Sequence, residues 1–258
     1  MADPQDAGDR LTGLYARGQR AHTRASFPDP ESLPMSSPYA RPGFYDEALA
    51  KGRHRDIVGG RWDETGRAQM AALMDHGLRP DHVLLDIGAG ALRLGCKAVP
   101  YLEPGHYWGT DASRALMLAG YAAELDARDR LDPLQLVEDA DFGFAGVTDT
   151  VTHAIAFGVF PHLESDAIAR CFNGLRRFPQ LECVLLTVFL APDEATSHRQ
   201  KDGVVTHAAR APYHLSETAL YAMADASGWS LSRDDRMLPR GQVMFRAEPL
   251  RPSPSSPR

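Results

Sequence analysis

Gly88 and Gly90, with Asp111 roughly 20 residues further on, are the residues whose types and spacing point most directly to chemistry. The glycines carry no Cβ and accept φ > 0, so a ligand can lie against backbone where a larger side chain would collide. A carboxylate spaced like Asp111 is placed to accept hydrogen bonds from ribose hydroxyls. Three further stretches carry reactive types. In Glu138-Asp139-Ala140-Asp141-Phe142, Asp139 or Asp141 could accept from an adenine amino group and Phe142 could lie on the ring, Asp139 being preferred; the alternative is a solvated acidic turn. In Phe157-Gly158-Val-Phe-Pro-His162, the first two residues can pack beside a ligand. His162 is a candidate general base, because imidazole titrates near neutrality, or a histidine that only bonds backbone at a helix start. Upstream, Phe44-Tyr45 and His54-Arg-Asp-Ile-Val-Gly-Gly-Arg-Trp62 bring aromatics, a histidine and paired glycines together. Such composition suits a loop that closes over a small-molecule site, with Tyr45, His54 and Trp62 as lid candidates; Trp62 could equally only anchor a helix.

Several chemistries find no footing. The glycines at 88, 90 and 95 do not fit G-x-G-x-x-G, and no G-K-[ST] follows, so a phosphate cradle is unsupported. Cys96, Cys171 and Cys183 have no C-x-x-C spacing and no His clustering, and are expected as free thiols rather than zinc ligands or a disulfide. No metal site is expected. Net charge is −6 with Arg scattered among acids, so no basic stripe suggests nucleic acid. No apolar run approaches the roughly 18 residues that cross a bilayer, and the acidic start lacks the order of a secretory signal; a cytoplasmic protein is expected.

The elements that must position these residues alternate. A helix with Met70, Leu73, Met74 and Leu78 on one face ends at Gly77 and Pro80, ahead of a strand from Val83 to Ile87. Leu92 to about Leu102 reads as the helix after the glycine turn, disturbed near its end by Pro100. His106 to Asp111 is the second strand, and Ser113 can cap the next helix, which runs to about Leu125. Leu134–Val137 and Val151–Phe157 read as strands three and four. Ile168, Cys171, Phe172, Leu175 and Phe178 recur at helical spacing, and Cys183–Leu190 is continuously apolar, as a strand covered on both faces must be. Ala191 to Pro212 is polar and long enough for a flap. Ser216 caps a helix ending near Gly228, and Trp229–Arg233 and Gln242–Arg246 form a final pair of strands. This predicts α/β architecture, a doubly wound and mostly parallel sheet.

The run Asp86-Ile87-Gly88-Ala89-Gly90 resembles the first motif of the class I S-adenosylmethionine (SAM) dependent methyltransferases, and Asp111 resembles their ribose-binding acid. The likeness runs in element order from about Tyr45 to Arg246, with its specific part between Val83 and Asp111. It implies an antiparallel last strand, an N-terminal helical lid, and SAM held by Asp86, Gly88, Ala89, Gly90, Asp111, Ala112, Asp139, Ala140, Phe157 and Gly158. It leaves Tyr45, His54 and His162 as the candidates for catalysis. Domain boundaries follow as a flexible arm over 1–42, the lid over 43–80, the SAM-binding domain over 81–248 and a disordered tail over 249–258. The amino-methylating branch often carries Asn or Asp before Pro-Pro and an aromatic after strand four; Phe157-Gly158-Val does not match, which disfavours that device. The resemblance implies methyl transfer to a small-molecule acceptor, with no nucleic-acid or membrane partner and an open oligomeric state. Binding motifs cannot tell which sulfonium-attached carbon is attacked. Cyclisation of SAM or aminocarboxypropyl transfer, each releasing methylthioadenosine, and a non-catalytic SAM-binding module stay open.

Overall fold

Seven strands form one sheet in the order β3-β2-β1-β4-β5-β9-β8, where β1 is Leu84–Ile87, β2 Tyr107–Asp111, β3 Leu136–Glu138, β4 His153–Ala156, β5 Cys183–Val188, β8 Trp229–Asp234 and β9 Val243–Pro249. The structure is a computed structural model and describes residues 37–59, 61–238 and 241–250; most of the expected arm and all of the tail beyond 250 lie outside them. Strands β1 to β5 pair in parallel, and β9 runs antiparallel between β5 and β8, so the antiparallel last strand is present. Chain order reverses direction across the sheet between β1 and β4. The crevice outside the carboxyl ends of these strands is where doubly wound sheets place ligands.

Helices cover both faces: α1 Phe44–Ala50, α2 Trp62–Asp75, α3 Gly95–Tyr101, α4 Arg114–Ala123, α5 Ser165–Leu175 and α6 Glu217–Ala226. Adjacent strand residues point to opposite faces, so Leu85 and Leu186 join α5 and α6 in one core while Leu84 and Leu185 join α2, α3 and α4 in the other. That is why β5 reads as unbroken apolar sequence: all its residues are buried. The five periodic residues of α5 and its extension are likewise buried. Ser113 and Ser216 cap α4 and α6 by accepting from the N–H of Leu116 and Ala219. Among the described residues no helix is long and apolar enough to cross a membrane.

Four expectations need correction. The helix after the glycine turn starts at Gly95 rather than Leu92, because the fully buried Leu92 sits in the left-handed region at φ 61° and closes a tight turn. Met74 is 49% exposed and faces away from the core that Met70, Leu73 and Leu78 enter. The third strand begins at Leu136, since Pro133–Gln135 is a 3-10 turn capped by Asp132. Finally, the stretch from Ala191 to Pro212, expected as a flap, contributes no residue to the lining of the cavity at the carboxyl ends of the strands. It folds into a hairpin of β6 Ser197–Arg199 and β7 Val205–His207. A buried chain of bonds fixes it: Gln200 Nε2 donates to Leu190 O and Thr206 Oγ1, and Thr206 Oγ1 lies 2.9 Å from His214 Nδ1.

Candidate active site

At the carboxyl ends of the parallel strands lies a cavity of about 430 Å³. Asp86, Gly88, Ala89, Gly90, Asp111, Ala112, Asp139, Ala140, Phe157 and Gly158 all line it, as do Tyr45, His162 and Phe142. His54, Trp62 and Asp141 are not among its lining residues. His54 Nε2 is 2.6 Å from Glu124 Oε1 on the residue that follows α4, and Arg55 bonds the same carboxylate through Nε at 2.7 Å. Trp62 begins α2 with the Arg55 guanidinium 5.2 Å above its ring. These residues tie the α1–α2 connection to α4.

The glycine turn is shaped by close approach. Gly88 and Gly90 have φ of 70° and 56°. A Cβ on Gly88 would run into Val159 Cγ2, and one on Gly90 would stand 2.6 Å from Val58 Cγ1. The turn hangs from β2 through the N–H groups of Gly88 and Ala89, which donate to Thr110 O at 2.7 and 3.0 Å. Asp111 closes it, Oδ2 accepting from Gly90 N at 2.9 Å and Oδ1 from Ser113 N at 3.0 Å. A carboxylate has roughly four acceptor sites, so Asp111 keeps capacity for ligand hydroxyls. Burial raises its pKa, while the N–H groups of Ser113, Gly90 and Ala112 pull the other way.

Asp86, at the floor, is buried and accepts from Tyr107 OH at 2.7 Å. Burial pushes its pKa up to about 7, against the Tyr107 hydrogen bond and the charge of Arg93. Asp139 spends its carboxylate on its own loop, accepting from the N–H groups of Asp141, Gly143 and Phe144. It thereby presents Ala140 and Phe142, the latter at φ 61°, to the cavity. Tyr45 is held as a neutral phenol: burial first, then the charge of Asp111, raises its pKa beyond the ordinary tyrosine range. The His162 ring packs edge-on against Tyr39 at 4.7 Å, and Tyr39 OH donates to Ile57 O at 2.7 Å. Among the described residues no three His, Cys, Asp or Glu side chains gather where they could hold a metal ion.

The sequence reading missed Ser37, Tyr39, Thr65, Gln69, Arg93 and Thr187, and it marked Gln242, ahead of the last strand, without a role. Thr187 Oγ1 accepts from Gly158 N and donates to Gln242 Oε1, both at 2.7 Å, which anchors the loop after β4. Gln242 had a readable signal: β9 runs antiparallel, so its start lies at the carboxyl ends of the other strands. Gln69 and Thr65 stand one helical turn apart on the buried side of α2 and both line the cavity, but two uncharged polar residues on an amphipathic helix carry no motif.

No family model matches the chain. Among solved structures, the chain is similar to magnesium protoporphyrin IX methyltransferase (ChlM) from Synechocystis PCC 6803 with bound S-adenosylhomocysteine (SAH), at 15% identity over 80% of this chain and 96% of that one, TM-score 0.56. It is similar to the glycopeptide N-methyltransferase MtfA at 15% identity, covering 73% and 90%, TM-score 0.53. A DhpI–SAH complex matches at 15% identity, covering 78% and 94%, TM-score 0.51. The chain has the class I SAM-dependent methyltransferase fold.

Proposed function

We propose that the protein transfers the methyl group of SAM to a small-molecule acceptor. The observation that carries this reading is that one cavity gathers the Gly88–Gly90 turn, Asp111, the Phe157–Gly158 loop, Tyr45 and His162. Its volume lies in the roughly 300–1,000 Å³ range of small-ligand sites. The fold likeness to methyltransferases crystallised with SAH supports the same cofactor.

The residues fit SAM: the Gly88–Gly90 turn lines the cavity with backbone at positive φ, Asp111 retains acceptor capacity for a ribose, and Phe142 and Phe157 line the same cavity as partners for an adenine. When bound, SAM supplies a methyl carbon made electrophilic by its sulfonium. The chain then has to align the acceptor and keep water away. Of the two acceptor-side groups, His162 suits proton removal. Tyr45, whose phenol stays protonated, serves as a hydrogen-bonding wall. Of the expected lid over 43–80, we read the α1–α2 connection as the covering part, since Val58 lies against the glycine turn and Arg93 Nη1 donates to Val58 O at 2.7 Å, while α2 packs in the core.

Methyl-labelled SAM incubated with the protein and a metabolite extract is the test. The expected result is label on a small acceptor with SAH as coproduct. Methylthioadenosine as the enzyme-dependent nucleoside would overturn it in favour of cyclisation or aminocarboxypropyl transfer.

A further inference from the structure

The end of β5 carries a short relay of hydrogen bonds that stops at the cavity. Thr187 is fully buried, and its Oγ1 accepts from Gly158 N and donates to Gln242 Oε1, both at 2.7 Å. A hydroxyl has a single hydrogen. Were the Gln242 amide turned over, that buried hydrogen would lose its acceptor, so the bonds themselves fix which amide atom faces Thr187. The other atom, Nε2, carries two N–H donors. It has no hydrogen-bond partner among the described residues and, unlike Gln69 Oε1, it is not sealed from solvent. Gln242 is half-buried and lines the cavity.

The amide is also held from behind. Gly241, at φ 71°, lies against the β6–β7 hairpin: a Cβ there would stand 3.6 Å from Gln200 Cβ and 3.7 Å from Lys201 N. A glutamine on an open surface loses side-chain freedom when it bonds a ligand. With Thr187 on its oxygen and the hairpin beside its backbone, Gln242 has already given up part of that freedom, so its donors are preorganised.

Its place in the sheet separates it from the residues that suit a ribose and an adenine. Asp111 ends β2 and Phe142 follows β3, whereas Gln242 precedes β9, which lies beyond β4 and β5 from β1. With strands about 4.8 Å apart, three steps across the sheet set it roughly 14 Å from the end of β1. A SAM laid from β3 across β2 to the Gly88–Gly90 turn leaves the β5–β9 side to the acceptor. We propose that Gln242 donates through Nε2 to a carbonyl-type oxygen of the acceptor molecule and is a specificity residue for it. The acceptor class is thus a small molecule that presents such an oxygen, as a ketone, amide or carboxylate, to the β9 side of the cavity. This rests on the methyltransferase reading above.

The test is ligand binding by saturation-transfer NMR and calorimetry on the full chain loaded with SAH, using acetophenone as the carbonyl probe and ethylbenzene as a probe of the same shape without the oxygen. Gln242→Leu removes the donors and should weaken acetophenone by about fivefold or more, with ethylbenzene and SAH affinities within about twofold of the parent. Gln242→Glu still accepts from Thr187 but has no N–H to offer, so it should weaken acetophenone by as much while keeping the anchor of the Gly158 loop. It also decides the matter alone if the leucine variant, which strands the Thr187 hydroxyl, does not fold. Full acetophenone affinity in Gln242→Glu overturns the proposal, because Gln242 would then only anchor the loop. Equal weakening of ethylbenzene overturns it as well, as does acetophenone failing to bind the SAH-loaded parent. Loss of SAH affinity in Gln242→Glu overturns it in favour of a role towards the cofactor. A parent protein that binds no SAH is a distinct result, which removes the methyltransferase reading and this inference with it.

Discussion

At the carboxyl ends of β1 and β2, Asp86 is buried and Asp111 half-buried beside a cavity; at the amino ends of β1 and β4, His82 and His153 are buried against each other. The imidazoles stack at 4.5 Å with 20° between their planes. His82 Nδ1 accepts from Arg79 N, and His153 Nδ1 lies 3.1 Å from Thr152 Oγ1. Both ends bury titratable groups, and both disfavour the charged form. The carboxyl end meets its acids with backbone N–H groups and one phenol and leaves open space, whereas the amino end closes its bases with ring stacking. The same strands thus carry a ligand-ready end and a packed end, and substitutions should separate them: binding from one, acid stability from the other.

The largest effect belongs to Gly90→Val. It forces a β-branched residue to φ 56° and drives its side chain into Val58, which distorts the turn that lines the cavity. SAM binding should vanish in calorimetry, and a variant that binds normally would break the assignment of the turn. Next comes Asp111→Ala, which removes the acceptor proposed for the ribose hydroxyls together with that of the Gly90 and Ser113 N–H groups. SAM affinity should fall by roughly 2–4 kcal/mol, with native circular dichroism retained. Unchanged affinity would mean that the acid serves the turn alone.

The third prediction sharpens the contrast through pH. Burial, with the charges of His82, Arg79 and Arg246 adding, lowers the His153 pKa to about 4, while His76 backbone bonding opposes. Between about 4 and 6.5 the unfolded chain therefore binds more protons, so this site's stabilisation is present near neutrality and lost as pH falls through that window. Asp86 has the opposite sign. Its folded pKa of about 7 lies above the ordinary value near 4, so the folded chain binds more protons and the site costs stability as pH rises from about 4 to 7. Each is worth on the order of 2–4 kcal/mol across its window, and they partly cancel in the parent. Urea midpoints of ligand-free protein at pH 4.5 and 7 should show Asp86→Asn gaining stability on the parent as pH rises. His153→Phe should gain on it as pH falls. If both variants track the parent, neither buried group titrates as its surroundings demand.

The ligand-ready end was largely legible in the chain and the packed end was not. Val83 to Asp111 announces itself through an apolar run, two glycines and an acid at fixed separation, because backbone approach to a ligand tolerates few residue types. The two histidines stand 71 positions apart, at 82 and 153, and become neighbours only when β4 pairs with β1. His54 shows the reverse failure. Its company of glycines and aromatics suggested a site, yet its partner is Glu124, which no local pattern reveals. Asp139 was readable as an acid after strand three, but not that three loop N–H groups would occupy it. Ser37, Thr65 and Gln69 carried no such signal, since uncharged polar residues on a helix or in a turn form no motif by themselves.

The smallest effect expected concerns what holds the connection between α1 and α2 over the ligand-ready end. His54 and Arg55 reach Glu124, while Val58 rests on Gly90 and accepts from Arg93. Arg55 is half exposed, so its share is screened by salt, and hydrogen bonding to Arg55, then to His54, lowers the Glu124 pKa against burial. Glu124→Gln keeps the shape and removes the charge. Melting should fall by no more than the ~1 kcal/mol typical of a surface ion pair. If the segment gates the cavity, SAM release in stopped-flow should quicken a few-fold while association hardly changes, as expected for loss of closure rather than of contact. Unchanged release, with the small stability loss present, would make the Glu124 cluster a clamp on α4 alone and confine the ligand-ready end to the strand ends themselves.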